Sequence, residues 1–129
     1  MKNKLFCIVS IIISFFTGIV ICYVVTSAYN KQQARALFYL AGQYYEQNKY
    51  NIAAYFTIQS ISINTNEYGP LYLLGNIYYK QGDYQLAEQM YRMALNKIDN
   101  NTFHKKGYLV DRNNILQKLE NITRGNTKK

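Results

Sequence analysis

The sequence predicts an all-α protein, in which an N-terminal transmembrane helix is followed by a short α-solenoid of two helix-turn-helix repeats and a capping helix. Two observations carry this prediction. The segment 5–25 is almost wholly apolar. The segments 37–61 and 71–95 align without a gap, so that Leu40 recurs as Leu74, 34 residues further on. A period of about 34 is typical of helix-turn-helix solenoids, in which neighbouring repeats bury each other's apolar faces.

The apolar segment 5–25 is long enough to cross a membrane, since about 20 apolar residues span the hydrocarbon core. No charged residue interrupts it, and two lysines precede it. A cleavable signal peptide has a shorter apolar region of about 7–15 residues. The length therefore favours an uncleaved signal anchor over residues 1–28, and cleavage after Ala28 is the alternative.

The flanking charges indicate the orientation of this anchor. The two lysines of the N-terminal tail favour a cytoplasmic N-terminus, although Lys31 and Arg35 place basic residues on the other flank as well. Cys7 and Cys22 both lie in the apolar stretch, so the rest of the chain forms no disulfide. We expect a single-pass protein of a bacterial inner membrane with a periplasmic C-terminal domain.

The second copy of the repeat has the clearest motif. It reads LGNIYYKQGDY over residues 74–84 and continues with Ala87, Tyr91, Ala94 and Leu95. Small residues such as Gly75 and Ala87 let paired helices approach closely. Gly82-Asp83 supplies a turn, because glycine adopts positive φ and aspartate caps the next helix. This pattern resembles the tetratricopeptide (TPR) repeat, and the resemblance covers about residues 34–100.

The first copy departs from this pattern at several positions. Asn48 replaces the turn glycine, Thr57 the large aromatic residue and Ser60 a small one. Asparagine still tolerates a left-handed turn. No third copy of the repeat can be recognised in the sequence. We therefore predict a TPR-like helical domain over 29–122, with repeats at about 34–67 and 68–101.

We expect five helices beyond the membrane segment, at about 30–47, 50–62, 70–81, 83–98 and 107–122. No Gly or Pro lies between Gly18 and Gly42, so the membrane helix can continue into the first of them as one rod. The last helix places Tyr108, Ile115, Leu119 and Ile122 on one stripe, as expected of a solenoid cap. Residues 123–129 are expected to form a basic disordered tail.

The TPR resemblance implies a concave, peptide-binding surface formed by the first helix of each repeat. Carried over position by position, this surface holds Arg35, Phe38, Gly42, Tyr45, Glu46, Gly69, Tyr72, Asn76, Tyr79 and Lys80. Asn76 and Lys80 stand where the family often holds a peptide backbone or carboxylate. The alternative is that both are consensus residues facing water, with Glu46 and Lys80 paired as surface charges.

The net charge and composition of the chain limit the classes of molecule that it is expected to bind. The chain carries a net charge of +8 and has 14 tyrosines and no tryptophan. The excess charge indicates a solvated surface or attraction to anionic lipid or an acidic partner. The membrane anchor and the absence of a recognition motif disfavour nucleic acid. Because about three repeats are needed for a continuous core, we expect self-association, a partner or packing close to the membrane to add stability.

Nothing in the sequence indicates catalysis, a metal site or a cofactor. His104 is the only histidine, both cysteines lie in the apolar segment, and the seven acids form no paired acid/base motif. Neither a metal-ligand spacing nor a phosphate loop occurs. The sequence therefore predicts a protein that is not an enzyme.

These observations predict a membrane-anchored TPR-like adaptor that binds a protein partner or peptide segment. By analogy with small anchored proteins of this type, the expected setting is a bacterial envelope assembly, such as a pilus, secretion or conjugation system. Two alternatives stay open: a structural, oligomerising membrane subunit without a peptide ligand, and a periplasmic chaperone released by cleavage.

Overall fold

The computed structural model describes residues 2–100 and 106–126, and this part of the chain is entirely helical apart from its turns. Its helices are α1 (Lys2–Glu46), α2 (Tyr50–Ile63), α3 (Tyr68–Gln81), α4 (Tyr84–Asp99) and α5 (Lys106–Asn126). Each helix packs mainly on its neighbour in the chain: α1 on α2, α2 on α3, α3 on α4 and α4 on α5. The predicted all-α fold, with an apolar N-terminal helix leading into helical repeats, is confirmed.

Helix α1 is one unbroken element of 45 residues. The predicted membrane helix and the first helix of the repeats are therefore continuous, as the absence of Gly and Pro between Gly18 and Gly42 indicates. Because one unbroken helix contains both segments, the apolar segment and the first repeat are joined without an intervening loop.

The two repeats turn in the same way. Asn48 and Gly82 both adopt positive φ, 58° and 83° respectively. One residue later, the Lys49 N–H donates to the carbonyl of Tyr44 at 3.0 Å, and the Asp83 N–H donates to that of Tyr78 at 2.9 Å. These bonds satisfy carbonyls that the helix ends leave unpaired. Asparagine thus fills the role of the missing glycine in the first copy.

The predicted cap at the second turn is present. The Asp83 carboxylate accepts a hydrogen bond from the Leu86 N–H at 3.1 Å and so satisfies one of the free amides that begin α4. The equivalent residue before α2 is Lys49, which supplies no side-chain cap. The first repeat therefore lacks one of the stabilising interactions of the second.

Tyr91 is fully buried between α3 and α4. A Cβ atom at Gly75 would lie 2.6 Å from Tyr91 Cδ1 and Cε1, so only glycine leaves room for the ring. The equivalent pair in the first repeat is Ala41 and Thr57, both fully buried. In the second repeat, glycine on the first helix leaves room for tyrosine on the second. In the first repeat, the larger alanine is paired with the smaller threonine, which accounts for the departure at Thr57.

Polar groups in the first repeat are satisfied despite burial. The Thr57 hydroxyl donates to the Ala53 carbonyl and the Ser60 hydroxyl to the Ala34 carbonyl, each at 2.7 Å. The second of these bonds joins α2 to α1. Burying such hydroxyls therefore costs little, since each has a partner.

Helix α5 closes the far end of the repeats. Ile115 and Ile122 are buried in one cluster with Leu71, Tyr91 and Ile98. The helix continues to Asn126 instead of ending at Ile122, and in its last turns the Thr123 hydroxyl donates to the Leu119 carbonyl at 2.9 Å. The side chain of Tyr108 and residues 127–129 lie outside the described residues.

Substitution of Gly75 by alanine should destabilise the fold by about 1–3 kcal/mol, because the added methyl overlaps the buried Tyr91 ring. Gly42→Ala is the matched control: no atom lies within 4 Å of its added Cβ, and alanine is favoured over glycine inside a helix by about 0.5–1 kcal/mol. Urea unfolding of the two variants measures both changes in stability. Equal stability of the two variants would contradict the packing described here.

Candidate functional site

A groove of about 620 Å³ runs between α1 and α3. Most of the predicted concave surface lines it, namely Phe38, Gly42, Tyr45, Glu46, Gly69, Tyr72 and Asn76. The groove also contains residues that the sequence did not single out: Tyr39, Gln43, Tyr68, Leu73 and Asp111. The first helices of the two repeats therefore form one surface, and five of its twelve lining residues carry aromatic rings, so we call it the aromatic groove.

Three predicted residues lie outside this groove. The Arg35 guanidinium pairs with Glu67 across a separate cleft, with Nη2 and Oε1 3.3 Å apart. Tyr79 packs edge-on against Tyr84, their ring centroids 5.4 Å apart. Lys80 is exposed near the end of α3. The concave surface predicted from the sequence thus divides into an aromatic groove, a cleft at Arg35 and a basic end at Lys80.

Asn76 is oriented by the core. Its Oδ1 accepts a hydrogen bond from the Tyr91 hydroxyl at 2.8 Å. Burial, assisted by the neighbouring Tyr72, raises the pKa of Tyr91, so its hydroxyl remains a donor at neutral pH. With Oδ1 occupied, the Asn76 amide nitrogen is the group that remains to donate into the groove. This arrangement suits a peptide carbonyl.

Helix α5 forms a third wall, which repeat periodicity did not reveal. Asp111 accepts a hydrogen bond from the Tyr68 hydroxyl, and Lys118 Nζ lies 5.2 Å from the centroid of the Tyr79 ring. A signal was present in the sequence: Asp111 and Lys118 flank the buried Ile115 at spacings of four and three residues. Such spacings place side chains on one face of a helix.

Lys80 and Lys118 together make one end of this surface basic. The pKa of Lys118 is lowered mainly by burial and to a smaller extent by repulsion from Lys80. The face of the Tyr79 ring acts in the opposite sense, because its π-electrons favour a nearby cation. Within the described residues, no ion pair joins Lys80 to Glu46, the alternative considered from sequence. An anionic group placed between the two lysines would relieve their repulsion.

The described residues contain no group of three or more His, Cys, Asp or Glu side chains able to hold a metal ion. His104 lies outside the described residues. The arrangement seen here offers aromatic surfaces, amide donors and ammonium groups, all of which act by non-covalent contact.

A family model described as anaphase-promoting complex, cyclosome, subunit 3, which is a family of TPR-like repeats, matches residues 14–94. The matched range begins within the apolar part of α1 and includes nearly all of both repeats. A search of curated proteins finds no match to the chain.

Tyr91→Phe should weaken binding in the groove while leaving the fold largely intact, because it removes the hydroxyl that orients Asn76. The expected loss of stability is about 0.5–1.5 kcal/mol, the usual contribution of one hydrogen bond. Tyr55→Phe is the control, since Tyr55 is 59% exposed and lies outside the groove. Partner capture and urea unfolding, measured on both variants, separate the two effects. Undiminished capture by Tyr91→Phe would contradict the orienting role.

Proposed function

We propose that this chain, which belongs to the anaphase-promoting complex subunit 3 family of TPR-like repeats, is an adaptor that binds another protein. Families of this kind are typically non-catalytic. The observation that carries the proposal is the aromatic groove between α1 and α3, where the core holds Asn76 with its amide nitrogen available as a donor.

The chemistry of the groove specifies how a peptide segment would bind. Tyr45 and Tyr72 offer apolar ring surface with polar tips, a combination that is favoured at protein interfaces. Asn76 Nδ2 donates to a backbone carbonyl of the ligand. Lys80 and Lys118 attract an acidic side chain or a terminal carboxylate of the ligand. Binding is non-covalent throughout.

The adaptor is anchored in a membrane through residues 5–25 of α1. Among the described residues, α1 is the one helix long and apolar enough to cross a bilayer, and none of its apolar window is buried. Phe15 and Ile21 are 69% and 62% exposed, which argues against a core helix of a soluble protein. A contiguous apolar surface of this size in water favours aggregation, whereas a bilayer accommodates it.

The expected setting is a bacterial envelope assembly, such as a pilus, secretion or conjugation system, with the repeats on the periplasmic side of the inner membrane. The lysines at the N-terminus support this orientation. Release by cleavage after Ala28 is the competing fate, and it requires a cut within the continuous helix α1. The mass of the mature chain distinguishes the two.

A crosslinking pull-down from native membranes tests the adaptor function. Asn76→Ala combined with Lys80→Ala should remove a specific partner, because the variant loses both the amide that donates to a backbone carbonyl and one of the two ammonium groups of the basic end. Asn113→Ala combined with Lys49→Ala is the matched control, as both residues are exposed and outside the groove. An unchanged partner set dominated by the protein itself would exclude the groove as the binding surface.

One observation favours a structural subunit as the second candidate. The first repeat exposes apolar side chains on α2, namely Ile52, Tyr55 and Ile58. A solenoid normally covers its ends with polar capping repeats. An exposed apolar end therefore suits contact with another repeat, including one from a second copy of this chain.

Tyr55→Arg tests this second candidate, because an arginine in a self-associating apolar face would be buried without a counter-ion. If the chain assembles through this face, its mass in detergent should fall to that of the monomer, as analytical ultracentrifugation would measure. Val110→Arg, on the exposed side of α5, is the control and should leave the mass unchanged. A monomeric wild-type chain would rule out the structural subunit.

A further inference from the structure

A second cleft, of about 920 Å³, lies at the end of the repeats that is nearer the apolar segment. Its walls are α1 between Tyr23 and Phe38, the α2–α3 connection over residues 63–69, and Lys97 near the end of α4. It is distinct from the aromatic groove, with which it shares only a few lining residues. Neither the adaptor function nor the family accounts for it.

The charges that line this cleft are mostly positive. Lys31, Arg35 and Lys97 line it, against the single acid Glu67. Glu67 is paired with Arg35, as described above. Lys31 and Lys97 form no ion pair within the described part of the chain. Two ammonium groups of the cleft thus have no carboxylate partner among the described residues, an arrangement that favours an anionic ligand.

The neutral groups in the cleft suit a phosphate ester and the hydroxyl groups of the alcohol that it carries. Thr26, Ser27, Asn30 and Thr65 contribute hydroxyl and amide groups to the lining. Helix α3 also begins here, and its N-cap residue Glu67 makes no side-chain hydrogen bond to the first turn. The partial positive charge at a helix N-terminus adds to the attraction for an anion.

The position of the cleft along α1 specifies the source of the phosphate, and this step rests on the proposed membrane crossing. At 1.5 Å per residue, Lys31 lies about 9 Å beyond Val25, where the apolar segment ends. The headgroup region of each leaflet is about 5–8 Å thick. The side chain of a lysine at this depth reaches back to the phosphate level. Tyr23 lines the same cleft at the depth where interfacial tyrosines are found.

We infer that this cleft binds the phosphate of an anionic phospholipid headgroup, held by Lys31 and Lys97. Free phosphate offers the same charge, but a headgroup is delivered to the mouth of the cleft by the membrane itself. The bound lipid would fix the tilt of α1 and hence the direction in which the aromatic groove faces.

Amine labelling of the full chain in lipid nanodiscs tests this inference. Nanodiscs of phosphatidylcholine alone are compared with nanodiscs containing phosphatidylglycerol, and labelling of each lysine is read by peptide mass. Labelling of Lys31 and Lys97 should fall several-fold in the anionic nanodiscs. Labelling of Lys49, which is exposed and lies outside the cleft, should not change.

Paired variants test the same site without labelling. Lys31→Gln combined with Lys97→Gln should retain fewer phosphatidylglycerol molecules in native mass spectra of the protein released from nanodiscs. Lys49→Gln combined with Arg92→Gln, which alters two exposed basic residues outside the cleft, should retain as many as the wild type. Equal retention by both double variants would overturn the assignment.

The outcomes separate this inference from the proposal on which it rests. If the chain fails to co-elute with nanodiscs, the membrane crossing is wrong and the lipid site falls with it. If the chain inserts but both lysines label equally in the two lipids, only the lipid site is wrong. Equal protection by inorganic phosphate in detergent would reassign the cleft to a soluble anion.

Discussion

The contact between the Tyr91 ring and the backbone of Gly75 is the interaction on which the rest of the structure depends. Because Gly75 has no Cβ, the ring fills the space between α3 and α4 and is fully buried. Its hydroxyl then reaches Asn76 on the groove side of α3. One side chain thus serves the core and the candidate binding surface together. A change that loosens the second repeat would also disorient the donor offered to a ligand.

The two repeats use the same turns but different packing. The Ala41 and Thr57 pair replaces the Gly75 and Tyr91 pair, and the smaller threonine leaves the first repeat without a buried ring. That repeat also lacks the aspartate cap and exposes apolar side chains at the free end of the solenoid. The first helix of that repeat is continuous with the apolar part of α1, and its second helix packs on α3.

Much of this fold was predictable from the sequence, because repeat spacing and turn chemistry are local signals. The helix-turn-helix units, the left-handed Asn48 and the Asp83 cap all follow from neighbouring residues. The walls of the site were less predictable. Asp111 and Lys118 join the surface only because α5 packs on α4, outside the register of the repeats, and their side chains reach Tyr68 and Tyr79 of α3. The pairing of Arg35 with Glu67 likewise depends on how the α2–α3 connection returns to α1.

We propose that the aromatic groove holds another protein. The most direct test of this proposal places a photoreactive phenylalanine analogue at Tyr72, which lines the groove, and separately at Gln89, which is exposed on α4. Irradiation of native membranes should crosslink the Tyr72 position, and not the Gln89 position, to a protein of different mass. Crosslinks of equal yield at both positions, or crosslinks only to the chain itself, would contradict the account.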